Sequence, residues 1–334
     1  MDEFHAANPL LRATPLRSLS SLSASLGIGP LDVKDETERY GLDAFKITGV
    51  SYALHRLSAA GAQHIVCATA GNHGRAVARG ARDRRLPCTV FVPALRTEDP
   101  IEARTRTARV RAMHEDGARV VDVDGTYEDA VERAADFART SGATVVSDTS
   151  WDGYETIPRW IMAGYTRLFE EASGQWDDRP DVVIVQGGVG GLVCAAVSWF
   201  AHRFGPRRPF LIACEPENAA CLLASAAAGH PVTIDSTLET IMAGLRCAAP
   251  SPLAWPPIAS LVDAFVTIRD ADVVQMLNTL CELPAGERIA AGPSGACGLA
   301  TLAAIMRTDE YAPVRQAARM DRSTRVLAVV TEGA

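Results

Sequence analysis

Two lysines stand out in a chain whose other basic residues are all arginines. Lys34 and Lys46 are the lysines among 33 basic residues. Arginine stays protonated, whereas a partly buried lysine can lose its proton and attack a carbonyl carbon. Lys46 stands between two apolar residues at the start of a predicted helix, and both surroundings favour the uncharged amine. Lys34 is adjacent to two acidic residues and is predicted to be an ion-paired strand residue, so Lys46 is the preferred candidate for covalent chemistry.

A glycine-rich turn lies between a predicted strand and a predicted helix, and it consists of Gly187, Gly188, Val189, Gly190 and Gly191. Converging backbone N–H groups and the dipole of the following helix favour an anion at such a turn. The pattern G-x-G-x-x-G is incomplete and no Walker A lysine is present, so a pyrophosphate is not favoured. The turn predicts a site for a single phosphate monoester, with an ordinary flexible connection as the alternative.

A second small-residue turn ends one predicted strand and begins the next helix, with Thr69, Ala70, Gly71, Asn72 and His73 in sequence. Free N–H groups at a helix start can hold a carboxylate, and an amide side chain can bond a ring hydroxyl. The turn therefore predicts carboxylate binding by its backbone and ring-hydroxyl binding by Asn72. His73 is a candidate for direct chemistry, although a histidine in a turn is more often a structural hydrogen-bonding residue.

Two aspartates and a threonine follow predicted strands, at the edge where a parallel sheet presents functional groups. Asp148 and Asp152 flank Trp151, and an aspartate desolvated by an aromatic ring could serve as a base. Asp152 also fits the N-cap of the following helix, so Asp148 is favoured as the base. Thr331 ends the last predicted strand and could turn its hydroxyl into a site. The segment from Gly292 does not match G-x-S-x-G, so no serine nucleophile is predicted.

From about residue 64 onward, short apolar runs alternate with helical stretches, a pattern that predicts βαβ units and a parallel sheet. The predicted strands cover 64–69, 88–93, 119–123, 144–147, 181–186, 210–215, 264–268 and 325–331. The predicted helices cover 73–85, 99–116, 127–140, 155–172, a stretch from about 192, 218–228, 271–283 and 294–306. Residues 1–64 together with 148–334 are expected to form a large discontinuous domain, interrupted by a small βαβ domain at 65–147.

Length, composition and charge exclude several classes of protein. The chain has 334 residues, 48% of them hydrophobic, and a formal net charge of −7. An acidic chain without a Lys/Arg-rich run is a poor partner for nucleic acid or anionic membranes. No apolar run reaches the roughly 20 residues that span a bilayer, and the N-terminus lacks a signal-peptide pattern, so a cytoplasmic protein is expected. The eight cysteines form no CxxC and no HExxH occurs, so no metal site is predicted and free thiols are favoured.

Taken together, the lysine in AFK, the GNHG turn, the GGVGG loop and the strand-end threonine resemble pyridoxal-phosphate (PLP) enzymes of the tryptophan-synthase-β type, fold type II. More narrowly, the chain is similar to the diaminopropionate ammonia-lyase family. The matching segments are VKDETERYGLDAFK, ATAGNHGRAVA, SDTSWDGYETIPRWIMAGY, EPENAACL and TIMAGLRC. The resemblance runs over nearly the whole chain and implies two three-layer α/β domains with mostly parallel sheets. Fold-level analogy also implies a homodimer.

The resemblance implies a role for each matching residue. Lys46 would carry the cofactor, Asn72 would bond its phenolic oxygen, and Thr331 would face its pyridine nitrogen. The cofactor phosphate would be bound by Gly187, Gly188, Val189, Gly190 and Gly191. Asp148 would be the base that removes the Cα proton of an L-amino acid. The substrate contacts would be Thr69, Ala70, Gly71, His73, Trp151 and Tyr154.

The implied reaction is the PLP-dependent α,β-elimination of ammonia from L-2,3-diaminopropionate, or from a close β-substituted L-alanine, to give pyruvate and ammonia. A neutral hydroxyl at the ring nitrogen leaves that nitrogen largely unprotonated, which favours elimination over transamination. A serine/threonine dehydratase or a β-replacement synthase of a specialised amino-acid pathway would share the same residues and stays open. A catalytically silent binding or regulatory paralogue is the alternative from another class, and the retention of Lys46 argues against it.

Three positions bear on how far the resemblance extends. The family pattern T-D-G-N-H-G carries an aspartate that handles the D-isomer, and Ala70 stands at that position, so we expect no processing of D-diaminopropionate. The family pattern G-E-S-G reads G-P-S-G here, with Pro293 in place of the acid, so recognition of the leaving group could differ. Cys221 and Cys247 match a cysteine pair that can form a disulfide in the family, whereas free thiols are favoured in a cytoplasmic protein.

Overall fold

The computed structural model describes Phe4 and residues 12–69, 71–94 and 100–334. The strands are β1 Leu16–Ser18, β2 Leu31–Asp35, β3 Ile65–Ala68, β4 Cys88–Pro93, β5 Arg119–Val123, β6 Thr144–Val145, β7 Val182–Gln186, β8 Phe210–Pro216, β9 Ala264–Ile268 and β10 Val326–Val330. The helices are α1 Ser20–Leu26, α2 Lys46–Ala59, α3 Asn72–Asp83, α4 Pro100–Glu115, α5 Tyr127–Ser141, α6 Thr156–Ser173, α7 Gly191–Phe204, α8 Cys221–Ala228, α9 Trp255–Leu261, α10 Asp270–Glu282, α11 Pro293–Arg307 and α12 Ala312–Ala317.

The chain divides into two compact units, each with its own sheet. The smaller unit contains Lys46–Gly164, and the larger contains residues 12–45 and Tyr165–Ala334. The smaller unit is thus wider than the segment 65–147 expected from the sequence. One reason is the packing of α2 along α3. Another is the close approach of two helix backbones, since a Cβ on Gly164 would lie 2.6 Å from the Cα of Gly49.

The smaller unit contains a parallel sheet with the strand order β5-β4-β3-β6. Its core joins Val66 and Phe91 of the sheet to Ala130 and Ala134 of α5. The observed strands agree with the predicted ones, except that β3 is one residue shorter at each end and β6 ends at Val145 rather than at Ser147. Beyond Val145 the chain leaves the sheet and enters the loop that carries Asp148.

The larger unit contains a sheet with the order β1-β2-β10-β7-β8-β9, in which only β1 runs antiparallel to its neighbour among the described strands. Val182 and Ile184 of β7 belong to the core formed with helices α1, α10 and α11. Val183 and Val185 point to the opposite face, because strand side chains alternate, and they are buried too. Helices therefore cover both faces of this sheet, which is the three-layer α/β arrangement that the family resemblance implied.

The helix predicted over 218–228 starts later than expected. A short 3₁₀ turn, Glu217–Ala219, precedes α8, and α8 itself begins at Cys221. The carboxylate of Glu215 accepts hydrogen bonds from the backbone N–H groups of Leu222 and Leu223, both at 2.8 Å. A glutamate six residues before the helix thus caps its first turn, an arrangement that local capping patterns do not reveal.

Three absences hold for the residues that the structure describes. None of their helices has both the length and the apolar character needed to cross a membrane. No group of three or more histidine, cysteine, aspartate or glutamate side chains among them could hold a metal ion. All eight cysteines lie in this part of the chain, and none of them forms a disulfide.

Candidate functional site

The two residues predicted to do the chemistry contact each other in the smaller unit. Lys46 begins α2, and its Nζ lies 2.5 Å from Oδ2 of Asp148. Both side chains are 22% exposed, so the pair is held by the protein and is still reachable by a small molecule. Burial raises the pKa of Asp148, but the charges of Lys46 and then His73 outweigh it and hold that pKa below its ordinary value. Asp148 is therefore an ionised carboxylate at neutral pH and can accept a proton.

His73 lies beside this pair. Its Nε2 is 3.0 Å from the carbonyl oxygen of Val146, which only accepts hydrogen bonds, so Nε2 carries a proton in the neutral ring. Its Nδ1 is buried, has no hydrogen-bond partner and lies 3.8 Å from Oδ2 of Asp148. The structure is thus compatible with both roles that the sequence allowed for His73. Its Nε2 makes a structural hydrogen bond, and its Nδ1 faces Asp148.

The described part of the turn before α3 forms the start of that helix. Gly71 is the N-cap residue, Asn72 is the first helical residue, and the Thr69 hydroxyl accepts a hydrogen bond from Gly71 N at 3.1 Å. A Cβ on Gly74 would lie 2.8 Å from Cγ2 of Thr69, so the turn stays tight only with glycine at that position. Ala70, predicted to contact the substrate, lies outside the described residues.

The loop after β6 is fixed by an aromatic pair. Tyr154 stacks on Trp151 with ring centroids 4.0 Å apart. The Tyr154 hydroxyl donates to the carbonyl oxygen of Val145 at 2.9 Å and accepts from Ser147 N at 3.0 Å. Tyr154 thereby holds the backbone that leads to Asp148, whereas Trp151 is 42% exposed. The predicted substrate contacts of both side chains stay predictions.

Asp152, the aspartate that was set aside as a helix N-cap, does not cap a helix. It is exposed, and α6 begins four residues later at Thr156. The N-cap interpretation was wrong because the loop continues past Asp152 before the helix starts. The preference for Asp148 as the base does not depend on it, since Asp148 is the aspartate that contacts Lys46.

The glycine-rich turn of the larger unit connects β7 to α7. Gly190 has a φ of +91°, a conformation that favours glycine, and it is the N-cap of α7. A Cβ on Gly187 would lie 2.5 Å from Leu222 Cδ1, and a Cβ on Gly188 would lie 2.9 Å from Cys247 Sγ. The first N–H groups of a helix have no partner within it, so the start of α7 offers donors to an anion. This backbone fits a phosphate group.

Thr331 directly follows the central strand β10 and is buried. Its Oγ1 lies 3.0 Å from Nε2 of Gln186, the last residue of β7. Sequence reasoning missed Gln186. The available signal was a polar residue at the end of the apolar run DVVIVQ.

Two positions singled out in the sequence lie close to these elements. Pro293 is the first residue of α11, where its missing N–H is not needed, and the following Ser294 N donates to Glu332 Oε1 at 3.2 Å. Cys221 and Cys247 are not joined in a disulfide, and Cys221 Sγ lies 3.6 Å from the carbonyl oxygen of Gly188. The two thiols therefore flank the glycine-rich turn without joining.

Lys34 is an ion-paired strand residue, as predicted, but its partner is not one of its sequence neighbours. Its Nζ lies 2.8 Å from Oε2 of Glu171 on α6, and both side chains are 1% exposed. The neighbouring Glu36 pairs with Arg39 instead. Lys34 is thus committed to a buried ion pair in the larger unit, which leaves Lys46 as the lysine available for chemistry.

The chain is a mostly parallel α/β protein. One of its units has a lysine amine beside an ionised carboxylate, and the other has a glycine turn suited to a phosphate. These are features of an enzyme that uses a phosphorylated aldehyde. The chain belongs to the family "Pyridoxal-phosphate dependent enzyme", whose profile matches residues 7–332, and its cofactor is pyridoxal phosphate. The predicted family, fold class and cofactor are therefore confirmed.

Similar proteins narrow the class. Diaminopropionate ammonia-lyase of Salmonella typhimurium is 33% identical over an alignment that covers 99% of this chain and 87% of that protein. The crystal structure of the Escherichia coli diaminopropionate ammonia-lyase in complex with an aminoacrylate-PLP azomethine reaction intermediate matches with a TM-score of 0.89 and 31% identity, covering 99% of this chain and 87% of that one. An L-threonine dehydratase of Mycobacterium bovis is 29% identical over 88% of this chain and 64% of its own length.

Proposed function

We propose that this protein is an ammonia-lyase that eliminates the β-amino group of L-2,3-diaminopropionate, or of a close β-substituted L-alanine, and releases pyruvate and ammonia. The observation that carries this proposal is the contact of Lys46 with the ionised Asp148, at 2.5 Å. Similarity to diaminopropionate ammonia-lyases over nearly the whole chain supports the choice of substrate.

Pyridoxal phosphate, when bound, withdraws electrons from the Cα of an amino acid and so makes its proton removable. We propose that Lys46 holds the aldehyde carbon, Asn72 the phenolic oxygen and Thr331 the pyridine nitrogen. The proposed phosphate-binding residues are Gly187, Gly188, Val189, Gly190 and Gly191. The open donors at the start of α7 and the glycine backbone support the phosphate assignment.

Asp148 is the proposed base for the Cα proton of an L-amino acid. Its carboxylate is ionised and lies beside the amine that the substrate must displace, so it is placed where the proton leaves. Substrate carboxylate binding is assigned to the turn of Thr69, Ala70 and Gly71 at the start of α3. His73, Trp151 and Tyr154 are proposed to line the substrate around Asp148.

Release of pyruvate from purified, PLP-loaded protein tests the proposal. L-2,3-diaminopropionate and L-serine are compared, each without an added nucleophile. Turnover of the diamine at a kcat/KM well above that of L-serine supports the lyase. A preference for L-serine or L-threonine would instead support a dehydratase, which the similarity to L-threonine dehydratase favours as the second candidate.

Two further outcomes separate the remaining alternatives. Pyruvate that forms only slowly, with a new amino acid produced when a nucleophile is added, would point to a β-replacement synthase. A protein without turnover and without the visible absorption of lysine-bound PLP would be a silent binding or regulatory paralogue. In the lyase, that absorption is present in the wild type and lost in Lys46→Ala.

We further propose, from the family resemblance, that the enzyme is a cytoplasmic homodimer. Sedimentation equilibrium of the PLP-loaded protein tests the dimer. A mass of one chain at micromolar concentration would contradict it.

A further inference from the structure

Gln186 presents one buried amide nitrogen to four oxygen atoms. The residue is 2% exposed at the end of β7. Its Nε2 lies 3.0 Å from Thr331 Oγ1, 3.0 Å from Val329 O, 3.0 Å from Ser294 O and 3.2 Å from Gly295 O. Three of these acceptors are backbone carbonyls, and the fourth is the threonine hydroxyl.

The amide occupies the place where the backbone ladder between β7 and β10 ends. These strands pair as far as Ala328, opposite Ile184. On its other side, β10 stays paired with β2 up to Val330. Past Ala328 it is the side chain of Gln186 that bonds Val329 O from the β7 side. Gln186 therefore joins the two strand ends and reaches Thr331 at the same time.

The direction of this hydrogen bond determines what the threonine can do. An amide nitrogen only donates, so Thr331 Oγ1 accepts from Gln186 and uses a lone pair for that bond. The proton of the hydroxyl must then point to another acceptor. Ser294 and Gly295 lie in the first turn of α11, where their carbonyls also accept bonds within the helix, so the two protons of the amide are available to Val329 O and Thr331 Oγ1.

We propose that Gln186 is a positioning residue that turns the Thr331 hydroxyl so that its proton is donated to the ring nitrogen of pyridoxal phosphate. A donor at that place holds the nitrogen unprotonated. The inference rests on the proposed placement of Thr331 at the ring nitrogen. It adds a second residue, remote from the reacting carbon, that sets the protonation of the cofactor.

A double-mutant cycle on cofactor affinity tests the proposal. The apoproteins of the wild type, Gln186→Met, Thr331→Val and the double variant are titrated with pyridoxal phosphate to obtain Kd. We expect each single variant to raise Kd about 5- to 10-fold, the effect of about one lost hydrogen bond. In the Thr331→Val background, Gln186→Met should add less than about 2-fold, because its target is already gone.

A spectroscopic readout and a matched control complete the test. The ¹⁵N chemical shift of ring-labelled cofactor reports protonation directly, and we expect Gln186→Met to move the wild-type value toward that of Thr331→Val. Thr301, a buried threonine within α11, supplies the control Thr301→Val, which should leave Kd and the ¹⁵N shift unchanged. Gln186→Asn, whose amide is one methylene shorter, replaces Gln186→Met if that variant does not fold and carries the same expectation.

Two results would overturn the inference, and they differ in meaning. An equal effect of Gln186→Met in both backgrounds would make Gln186 a purely structural residue. An unchanged Kd in Thr331→Val would remove Thr331 from the ring nitrogen and the inference with it. Neither result depends on turnover, so the proposed lyase activity is judged separately by pyruvate release.

Discussion

At the residue scale, the contact between Lys46 and Asp148 ties the chemistry to two named groups. The Lys46 amine holds the pKa of the Asp148 carboxyl below its ordinary value in spite of burial, so the carboxylate is ionised at neutral pH. The pairing keeps the proposed base ionised and places it beside the residue proposed to carry the cofactor. Removal of the Asp148 carboxylate and removal of the Lys46 amine should therefore affect the reaction and the cofactor differently.

Asp148→Asn should keep the cofactor and lose the reaction. An amide cannot take the Cα proton, so we expect kcat with L-2,3-diaminopropionate to fall about 10²- to 10⁴-fold. The visible absorption of lysine-bound PLP should persist, because Lys46 is intact. Steady-state kinetics beside an absorption spectrum checks both. A variant within a factor of three of wild type would show that another group is the base.

The alanine at position 70 predicts a strict preference for one enantiomer. Asp148 is the proposed base for the L-isomer, whereas the family pattern assigns the D-isomer to an aspartate at position 70, where alanine has no carboxylate. We therefore expect pyruvate from L-2,3-diaminopropionate and at least about 100-fold less from the D-isomer, the scale of one missing base. Comparable rates for the two isomers would contradict this account.

At the element scale, the titration of Glu215 makes the stability of the folded chain at the start of α8 depend on pH. Burial raises its pKa from 4.5 to about 7, although its bonds to Leu222 N and Leu223 N oppose the shift. Between these two values the folded state holds a proton that the unfolded state has released. The contribution of that proton to the free energy of unfolding is complete below pH 4.5 and is lost as the pH rises toward 7.

The Glu215 contribution should therefore appear as a falling stability between pH 5 and pH 7. Its slope is at most about 1.4 kcal/mol per pH unit for one group. Glu215→Gln cannot ionise, so its free energy of unfolding should lose this part of the pH dependence. Urea unfolding of both proteins at several pH values measures the difference. Parallel curves would show that Glu215 titrates as in the unfolded chain.

A buried ion network holds α6 to β2 and to the turn that follows it. Glu171 accepts from Lys34 and from Arg39, and all three side chains are 1% exposed. Glu171→Gln would leave two buried cations with one carboxylate, Glu36, and we expect a loss of about 3–5 kcal/mol in unfolding free energy. Glu155→Gln, which breaks the exposed pair with Arg159, should cost no more than about 0.5 kcal/mol. Equal, small losses in urea unfolding would contradict the structural role of the network.

The elements were predictable where one local signal determined them. Strands such as Cys88–Pro93 and Arg119–Val123 lie where the apolar runs predicted them, because a buried parallel strand needs a continuous apolar run. Partners distant in sequence were not predictable, and Glu171 is the example, 137 positions from Lys34. The late start of α8 and the role of Gln186 were not predictable for the same reason, since both depend on contacts that exist only in the folded chain.

At the scale of the whole molecule, strand order is what sequence periodicity could not supply. The last strand, β10, lies in the centre of the larger sheet between β2 and β7. This insertion brings Thr331, near the chain end, next to Gln186, which lies 145 positions earlier. The motifs were therefore predictable one by one, while the contact between Gln186 and Thr331 within the larger unit followed only from the fold.

The similarity to diaminopropionate ammonia-lyase covers 99% of the chain, so the proposed reaction concerns both of its units. Elimination from a 2,3-diamino acid releases the β-amino group, and hydrolysis of the product releases the α-amino group. The ratio of ammonia to pyruvate therefore identifies the reaction. A dehydratase acting on serine would release one ammonia per pyruvate, and the lyase releases two from the diamine.

The most direct measurement is the simultaneous assay of ammonia and pyruvate from L-2,3-diaminopropionate with the PLP-loaded enzyme. We expect rapid turnover of the diamine with two ammonia molecules for each pyruvate, and no turnover in Lys46→Ala. Absence of pyruvate from the diamine, in a protein that shows lysine-bound PLP, would contradict the proposed lyase activity.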